Sequence, residues 1–271
     1  MNMPCIELRN VRCDIGHRTV LDIAQLRIAP GERVAVIGHN GAGKSTLFRL
    51  LTGFMAPSQG SAQVLGRDLG HGLGARELRL LRQEIGQVMQ GLHLVGRLSV
   101  LDNVLIGALA RVPGWRSWAR VFPAVEVTRA RAALQQVGML ARAEARADQL
   151  SGGERQKAGV ARMLVQGPRL ILADEPTAAL DPAAAAEVCQ LLAASAAGAT
   201  LITVVHNPAL LPLLARRVIG LRQGRMAFDL PVDKVGDRKL LDLYRPVDHE
   251  ASAHWQLPAE PARAPTLEGT P

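Results

Sequence analysis

A glycine-rich run near the start of the chain has the residue types needed to bind phosphate. It consists of Gly38, His39, Asn40, Gly41, Ala42, Gly43, Lys44, Ser45 and Thr46, and it fits the pattern G-x-x-x-x-G-K-[ST]. Because glycine has no Cβ, backbone amides can converge on phosphate oxygens, and a following helix adds free amides at its positive end. We call residues 38–46 the phosphate loop and predict that they bind a nucleotide.

Two side chains of the phosphate loop suit the chemistry of nucleotide phosphates. Lys44 supplies a positive charge for the β and γ phosphates, and Ser45 offers its hydroxyl oxygen to a magnesium ion. The expected ligands are therefore ATP and Mg²⁺. An ordinary structural turn is the alternative, but the apolar run before the loop and the helical run after it favour the nucleotide site.

An acidic pair stands at the end of another apolar run, Leu170–Ala173. Asp174 is predicted to organise the metal, and Glu175 to be the base that activates water for phosphoryl transfer. One carboxylate after a strand is usually only a polar exit from the core. Two adjacent carboxylates, in a chain that already has a phosphate loop, favour the functional interpretation.

Three short apolar runs indicate the elements that must position these residues: Arg33–Ile37, Leu170–Ala173 and Leu201–Val205. Each is continuously apolar, which is typical of strands covered on both faces, and each leads into a polar or glycine-rich loop. The sequence therefore predicts an α/β fold with a mainly parallel central sheet.

The rest of the chain is predicted to contribute other structures. Short apolar pieces in the first thirty residues, which end at Pro30-Gly31, predict a small antiparallel sheet, and Val218–Phe228 predicts a hairpin. Residues 92–150 have a helical pattern, with Ser99 as a cap, and are predicted to be a helical insertion within an ATPase domain of residues 1–245. Asp181-Pro182 predicts a helix start, and residues 246–271, rich in proline and alanine, predict a flexible tail.

Composition narrows the possible classes of protein. The formal net charge is +8, but arginine is scattered and forms no block, which disfavours nucleic-acid binding. Three cysteines without close spacing predict neither a disulfide framework nor a zinc site. The sequence shows neither a signal-peptide pattern nor a run of 18 apolar residues, so any work at a membrane is expected to need a partner.

The segment Leu150–Gln156 carries the most specific motif. It reads Leu-Ser-Gly-Gly-Glu-Arg-Gln and resembles the signature of the ATP-binding cassette proteins. The resemblance covers roughly Ile6 to Tyr244 and implies a P-loop NTPase (RecA-like) core, an N-terminal antiparallel β subdomain and an α-helical insertion. It also implies that Ser151, Gly152 and Gly153 contact the γ-phosphate held by a second subunit, in a head-to-tail dimer. An ordinary serine cap is the alternative for Ser151.

Other positions acquire roles from the same resemblance. Gln90 corresponds to the glutamine that binds magnesium and senses the attacking water, and His206 to the histidine that contacts the γ-phosphate. Asp181 lies in the loop that communicates between the two sites, and it is also compatible with a simple helix cap. The implied catalytic set is Lys44, Gln90, Glu175 and His206; the implied metal set is Ser45, Gln90 and Asp174.

The sequence departs from the family pattern at two positions. Ile15 stands where an aromatic residue usually stacks on adenine, and His17 is a weak substitute, so the preference for adenine is not fixed by the sequence. Ala179 stands where serine is common. Neither departure removes a group with a catalytic role.

Residues 94–105 and the segment Gly114–Trp118 resemble the ATP-binding subunits of phosphonate importers. The resemblance implies a peripheral protein on the cytoplasmic side of the inner membrane, acting as a homodimer with a separate permease and, indirectly, a solute-binding protein. Trp115 and Trp118 could contact that permease or could simply anchor the insertion. Alternatives are another importer or an exporter, a cassette ATPase acting on nucleic acid or ribosomes, and a non-hydrolysing regulatory module, against which Glu175 argues.

Overall fold

The computed structural model describes residues 3–70, 72–89, 94–112, 115–116 and 121–245. The strands, β1 to β10 in chain order, are Ile6–Ile15, Arg18–Ile28, Arg33–Ile37, Gln59–Val64, Arg67–Asp68, Ile85–Val88, Leu170–Asp174, Thr200–Val204, Arg217–Arg222 and Arg225–Pro231. The helices, α1 to α8, are Lys44–Leu51, Ala75–Gln83, Val100–Leu105, Ala124–Gln136, Gly152–Gln166, Pro182–Ser195, Leu211–Leu214 and Asp237–Tyr244.

A mainly parallel sheet forms the centre of the molecule, as the sequence predicts. Its strand order is β10-β9-β3-β8-β7-β6, and only β10 runs antiparallel to its neighbour. The three apolar runs are β3, β7 and β8, although β8 begins one residue earlier than predicted, at Thr200. The predicted hairpin is confirmed as β9 and β10.

Apolar side chains cover this sheet on both faces. The side chains of β3 illustrate this, because they alternate between two apolar clusters. Val34 and Val36 of β3 pack into a cluster shared with the antiparallel sheet and α1. Ala35 and Ile37 pack into the opposite cluster, which contains residues of helices α3 to α7. Successive strand side chains point to opposite faces, so a strand between two cores must be apolar throughout.

The N-terminal antiparallel sheet is larger than the sequence predicts. β1 and β2 pair as expected, and β4 and β5 extend the sheet in the order β2-β1-β4-β5. β4 is not recognisable from its sequence because its core face is only Ala62 and Val64, while its other residues are exposed and are polar or glycine. Pairing with β1, a long-range contact, makes this segment a strand.

Helices α3 and α4 lie between β6 and β7, where the sequence places its helical segment. The hydroxyl of Ser99 accepts a hydrogen bond from the backbone amide of Asp102 and caps α3.

Asp181 caps α6 as predicted, and α6 ends at Ser195, slightly before the predicted end at Gly198. The limits of the insertion and of the ATPase domain stay predictions. Trp118 and residues 246–271 lie outside the described residues.

Candidate functional site

Three neighbouring strands of the central sheet bring the predicted site residues to one edge. The phosphate loop follows β3, the acidic pair ends β7, and His206 follows β8, which lies between those two strands. The three strands are parallel, so their carboxyl ends share an edge, where open α/β sheets bind ligands. Gln90 comes soon after β6, the next strand of the sheet, but lies outside the described residues.

Two glycines of the phosphate loop are required by close packing. Gly38 has a φ of +151°, and a Cβ there would lie 2.2 Å from the carbonyl oxygen of Leu221 on β9. Gly43 has a φ of +103°, and a Cβ would lie 3.0 Å from the carbonyl oxygen of Val20. The amide of Gly224 donates to the carbonyl of Ala42 at 3.0 Å. The loop is therefore held between β2 and the β9–β10 hairpin.

Lys44 opens α1 and turns back over the phosphate loop. Its Nζ donates to the carbonyl oxygens of Gly38, at 2.7 Å, and His39, at 3.0 Å. The side chain is buried, and burial lowers its pKa, while the charges of Glu175 and Asp174 raise it in part. An ammonium group thus lies against two loop carbonyls and near two carboxylates, at a place where it can reach a bound anion.

The acidic pair shows two different environments. Burial raises the pKa of Asp174, and the charge of Glu175 raises it further, against the lowering effects of Lys44 and His206. Glu175 has a φ of +49°, a conformation that is rare outside glycine, and its Oε1 lies 2.5 Å from Nε2 of His206. Such backbone strain is often found at functional sites, where it aims a side chain.

A cleft of about 570 Å³ opens in front of these residues. Phosphate-loop residues and Glu175 line it, together with Arg18, Thr19, Val20 and Gln223. The sequence does not predict these last four residues as part of the site, because the turn before β2 and the turn Gln223-Gly224 carry no phosphate-binding pattern. Ile15, at the end of β1, is 51% exposed and is absent from the cleft lining.

The signature residues lie away from that cleft lining. The hydroxyl of Ser151 accepts a hydrogen bond from the amide of Glu154, whose carboxylate accepts one from the amide of Ser151, so α5 begins with a capping box. Ser151 and Gly152 are exposed. None of Ser151, Gly152 and Gly153 lines the cleft formed by the phosphate loop of the same chain.

The donor set fits a magnesium-bound nucleoside phosphate. The glycine-rich loop, the α1 terminus and Lys44 suit an anion. Asp174 and the hydroxyl of Ser45 are hard oxygen donors of the kind that Mg²⁺ prefers. Burial and, to a lesser extent, the charge of Glu175 raise the pKa of Asp174, and a bound cation would offset both effects.

Comparison with known proteins identifies a family match and close relatives. The family described as ABC transporter matches residues 21–178. A "Phosphonates import ATP-binding protein PhnC" from Cupriavidus pinatubonensis is 43% identical over 253 residues, which covers 92% of this chain and 90% of that protein. A protein of the same name from Anaeromyxobacter dehalogenans is 44% identical over 264 residues, or 97% of this chain. This chain spans 51% of that relative's length.

Solved structures share the fold. CbiO1 from Clostridium perfringens, described as part of the ABC transporter complex cbiONQ, superposes with a TM-score of 0.76 at 26% identity, covering 88% of this chain and 93% of that one. A dimeric ATP-binding cassette in a post-hydrolysis state, bound to ADP and Pi, superposes with a TM-score of 0.72 at 28% identity, covering 84% and 98%. The P-loop NTPase architecture expected from the sequence is confirmed.

Proposed function

The chain belongs to the ABC transporter family, and from this premise we propose that it is the ATP-hydrolysing subunit of an importer of phosphonates or related phosphorus oxyanions. One observation supports ATP hydrolysis: Lys44, Glu175 and His206 come from separate segments and converge at one edge of the sheet. The printed names of the relatives support phosphonate import.

Phosphate binding is the task of the loop and of Lys44. The amides of the phosphate loop and the α1 terminus hold phosphate oxygens, and the ammonium of Lys44 moves from the carbonyls of Gly38 and His39 to the β and γ phosphates. The hydroxyl of Ser45 and the carboxylate of Asp174 would hold the metal ion, together with Gln90. When bound, Mg²⁺ neutralises charge that develops on the phosphates.

Glu175 is the proposed general base. Its carboxylate takes a proton from a water molecule as that water attacks the γ-phosphorus and the bond to the β–γ bridging oxygen breaks. His206 lies within hydrogen-bond distance of Glu175, so it orients that carboxylate. The family resemblance adds a contact of His206 with the γ-phosphate. Gln90 completes the positioning of the water. These residues act by positioning and electrostatics, because phosphoryl transfer needs little covalent catalysis.

A second copy of the chain is proposed to complete the site. Ser151, Gly152 and Gly153 are placed at the start of α5, away from the cleft of their own chain, and Ser151 and Gly152 are exposed. In a head-to-tail homodimer this helix end would face the γ-phosphate bound by the partner. The dimeric description of a structural neighbour supports this arrangement.

A membrane permease is the other proposed partner. Within the described residues, no helix is long and apolar enough to cross a bilayer. We place the chain on the cytoplasmic side of the inner membrane, bound to permease subunits that receive the solute from a binding protein. Nucleic acid is not a proposed partner, since the arginine residues form no continuous block in the sequence.

The decisive experiment combines purification with uptake. The tagged chain, purified from its native membrane, is expected to bring a permease and a solute-binding protein, and deletion of its gene is expected to abolish uptake of a phosphonate as sole phosphorus source. Restoration by the wild-type chain but not by Lys44→Ala would link uptake to nucleotide binding. Co-purification of an exporter, or of ribosomes, would overturn the transport assignment.

A further inference from the structure

An aromatic contact joins the last described helix to the phosphate loop. Tyr244, at the end of α8, meets His39 with the two rings at 73° and their centroids 5.1 Å apart. His39 is the second residue of the phosphate loop, and Tyr244 is the only tyrosine of the chain. Edge-to-face ring pairs at such distances are attractive beyond the area they bury.

The helix that carries Tyr244 is fixed on the core. Leu243, its neighbour, is 2% exposed and belongs to the cluster under the central sheet. The guanidinium of Arg222, at the end of β9, donates to the backbone carbonyl of Asp242 at 3.2 Å. Since β9 pairs with β3, the strand that leads into the phosphate loop, these contacts hold α8 beside the loop.

The tyrosine faces the same two residues that hold Lys44. The carbonyl oxygens of Gly38 and His39 both accept hydrogen bonds from Nζ of Lys44. The hydroxyl of Tyr244 is buried and has no partner with hydrogen-bond geometry among the described residues. Burial raises its pKa, and the backbone of Gly38 lies near enough to oppose that effect. The contact that the geometry supports is therefore the one between the ring and His39.

We propose that Tyr244 is a positioning residue for nucleotide binding, which pre-orders the phosphate loop by packing its ring against His39. A loop held in its binding conformation binds its ligand more tightly, because less conformational entropy is lost on binding. The inference rests on the proposed nucleotide site and adds to it a residue far along the chain that no phosphate-binding motif contains. Tyr244 acts through His39 and does not itself touch the substrate.

The first experiment distinguishes the effect of the Tyr244 ring on nucleotide binding from the effects of its hydroxyl and of the helix. Calorimetric titration of the full-length chain with ADP is expected to give a Kd about threefold to tenfold higher for Tyr244→Leu than for the wild type. Tyr244→Phe should bind within about twofold of wild type, since it keeps the ring. Leu241→Ala, on an exposed position of the same helix, should bind as wild type does. At saturating ATP, Tyr244→Leu should retain the wild-type kcat.

Two outcomes would overturn the inference, and a third would overturn the proposed function. A Tyr244→Leu chain that binds ADP with the wild-type Kd overturns the inference, and so does a Phe variant as weak as Leu. A chain whose wild type binds no nucleotide overturns the proposed function itself, so the two failures are distinguishable.

A second measurement needs no substitution at the ring. Growth with 3-fluorotyrosine places one ¹⁹F label in the molecule, because the chain contains one tyrosine. We expect its resonance to shift on saturation with ADP and to stay unshifted in labelled Lys44→Ala. If the resonance of the labelled wild type does not shift at saturating ADP, the inference is overturned, even if Tyr244→Leu fails to fold.

Discussion

Nε2 of His206 lies 2.5 Å from Oε1 of Glu175, although 31 positions of sequence separate them. Glu175 leaves β7 with a positive φ, and His206 leaves the adjacent strand β8, so neighbouring parallel strands place the two side chains in contact. The pair joins the proposed base to the residue proposed to orient it.

Replacing the base should separate binding from turnover. In Glu175→Gln we expect ATPase turnover to fall by about 100-fold or more, because a proton-accepting carboxylate is lost, while the Kd for ATP stays near the wild-type value. Phosphate release and equilibrium binding give the two quantities. Glu144→Gln, at an exposed carboxylate outside the cleft lining, is the matched control and should turn over normally. Wild-type turnover in Glu175→Gln would refute the assigned base.

The contact between Glu175 and His206 predicts non-additive kinetics. His206→Ala should lower kcat, and the double variant with Glu175→Gln should be no slower than the slower single variant, because residues that act as a unit lose their contribution once. Single-turnover rates of the four proteins supply the cycle. Fully multiplicative effects would mean that the two residues act independently.

Close packing at the phosphate loop predicts a severe effect of one methyl group. Gly38→Ala should lower the free energy of unfolding by about 3 kcal/mol or more, since its Cβ would collide with the Leu221 carbonyl in a backbone conformation that glycine favours. Gly31→Ala is the control: its φ is +79°, but a Cβ there would meet nothing within 4 Å, so we expect a loss of about 1 kcal/mol. Urea unfolding measures both. Equal losses of unfolding free energy in the two variants would show that the protein relieves the collision at position 38.

Alanine variants of two helix-capping serines distinguish an effect on helix stability from an effect on dimer formation. Ser151→Ala and Ser99→Ala should each cost about 1 kcal/mol of stability, because each removes a side-chain acceptor from a helix start. In the Glu175→Gln background with ATP, only Ser151→Ala should reduce the dimer fraction in light scattering. Undiminished ATP-dependent dimers of Ser151→Ala would argue against the composite site.

A buried ion pair at the start of α4 predicts a pH-dependent loss of stability. Hydrogen bonding from Arg111 lowers the pKa of Glu126, against the opposing effect of burial. Arg111 also donates to the carbonyls of Val165 and Gln166 at the end of α5. Glu126→Gln should cost about 1–3 kcal/mol at pH 7, less than for a fully buried pair because Arg111 is partly exposed.

The sign of the pH effect follows from the lowered pKa. The carboxylate stabilises the fold above the ordinary glutamate pKa of about 4.3, and this contribution is lost as pH falls through the lower folded pKa. The stability difference between wild type and Glu126→Gln should therefore shrink in acid. Unfolding curves from pH 7 down to about pH 3 measure it. A difference that stays constant over this range would contradict the depressed pKa.

The sequence alone determined the chemistry of the site and the class of fold. The phosphate loop, the acidic pair and the signature are local patterns of residue types, and β3, β7 and β8 are mainly apolar because both of their faces are buried. Such features can be found in a single chain because each depends on neighbours in sequence.

Only the tertiary structure decided which distant residues meet. β4 is a strand through its pairing with β1, Gly38 is needed because the Leu221 carbonyl approaches it, and Gln223 reaches the cleft from a hairpin turn. The contact of Tyr244 with His39 has the same origin. These relationships depend on strand order and on the docking of helices, which arise from the packing of the whole core rather than from any local pattern.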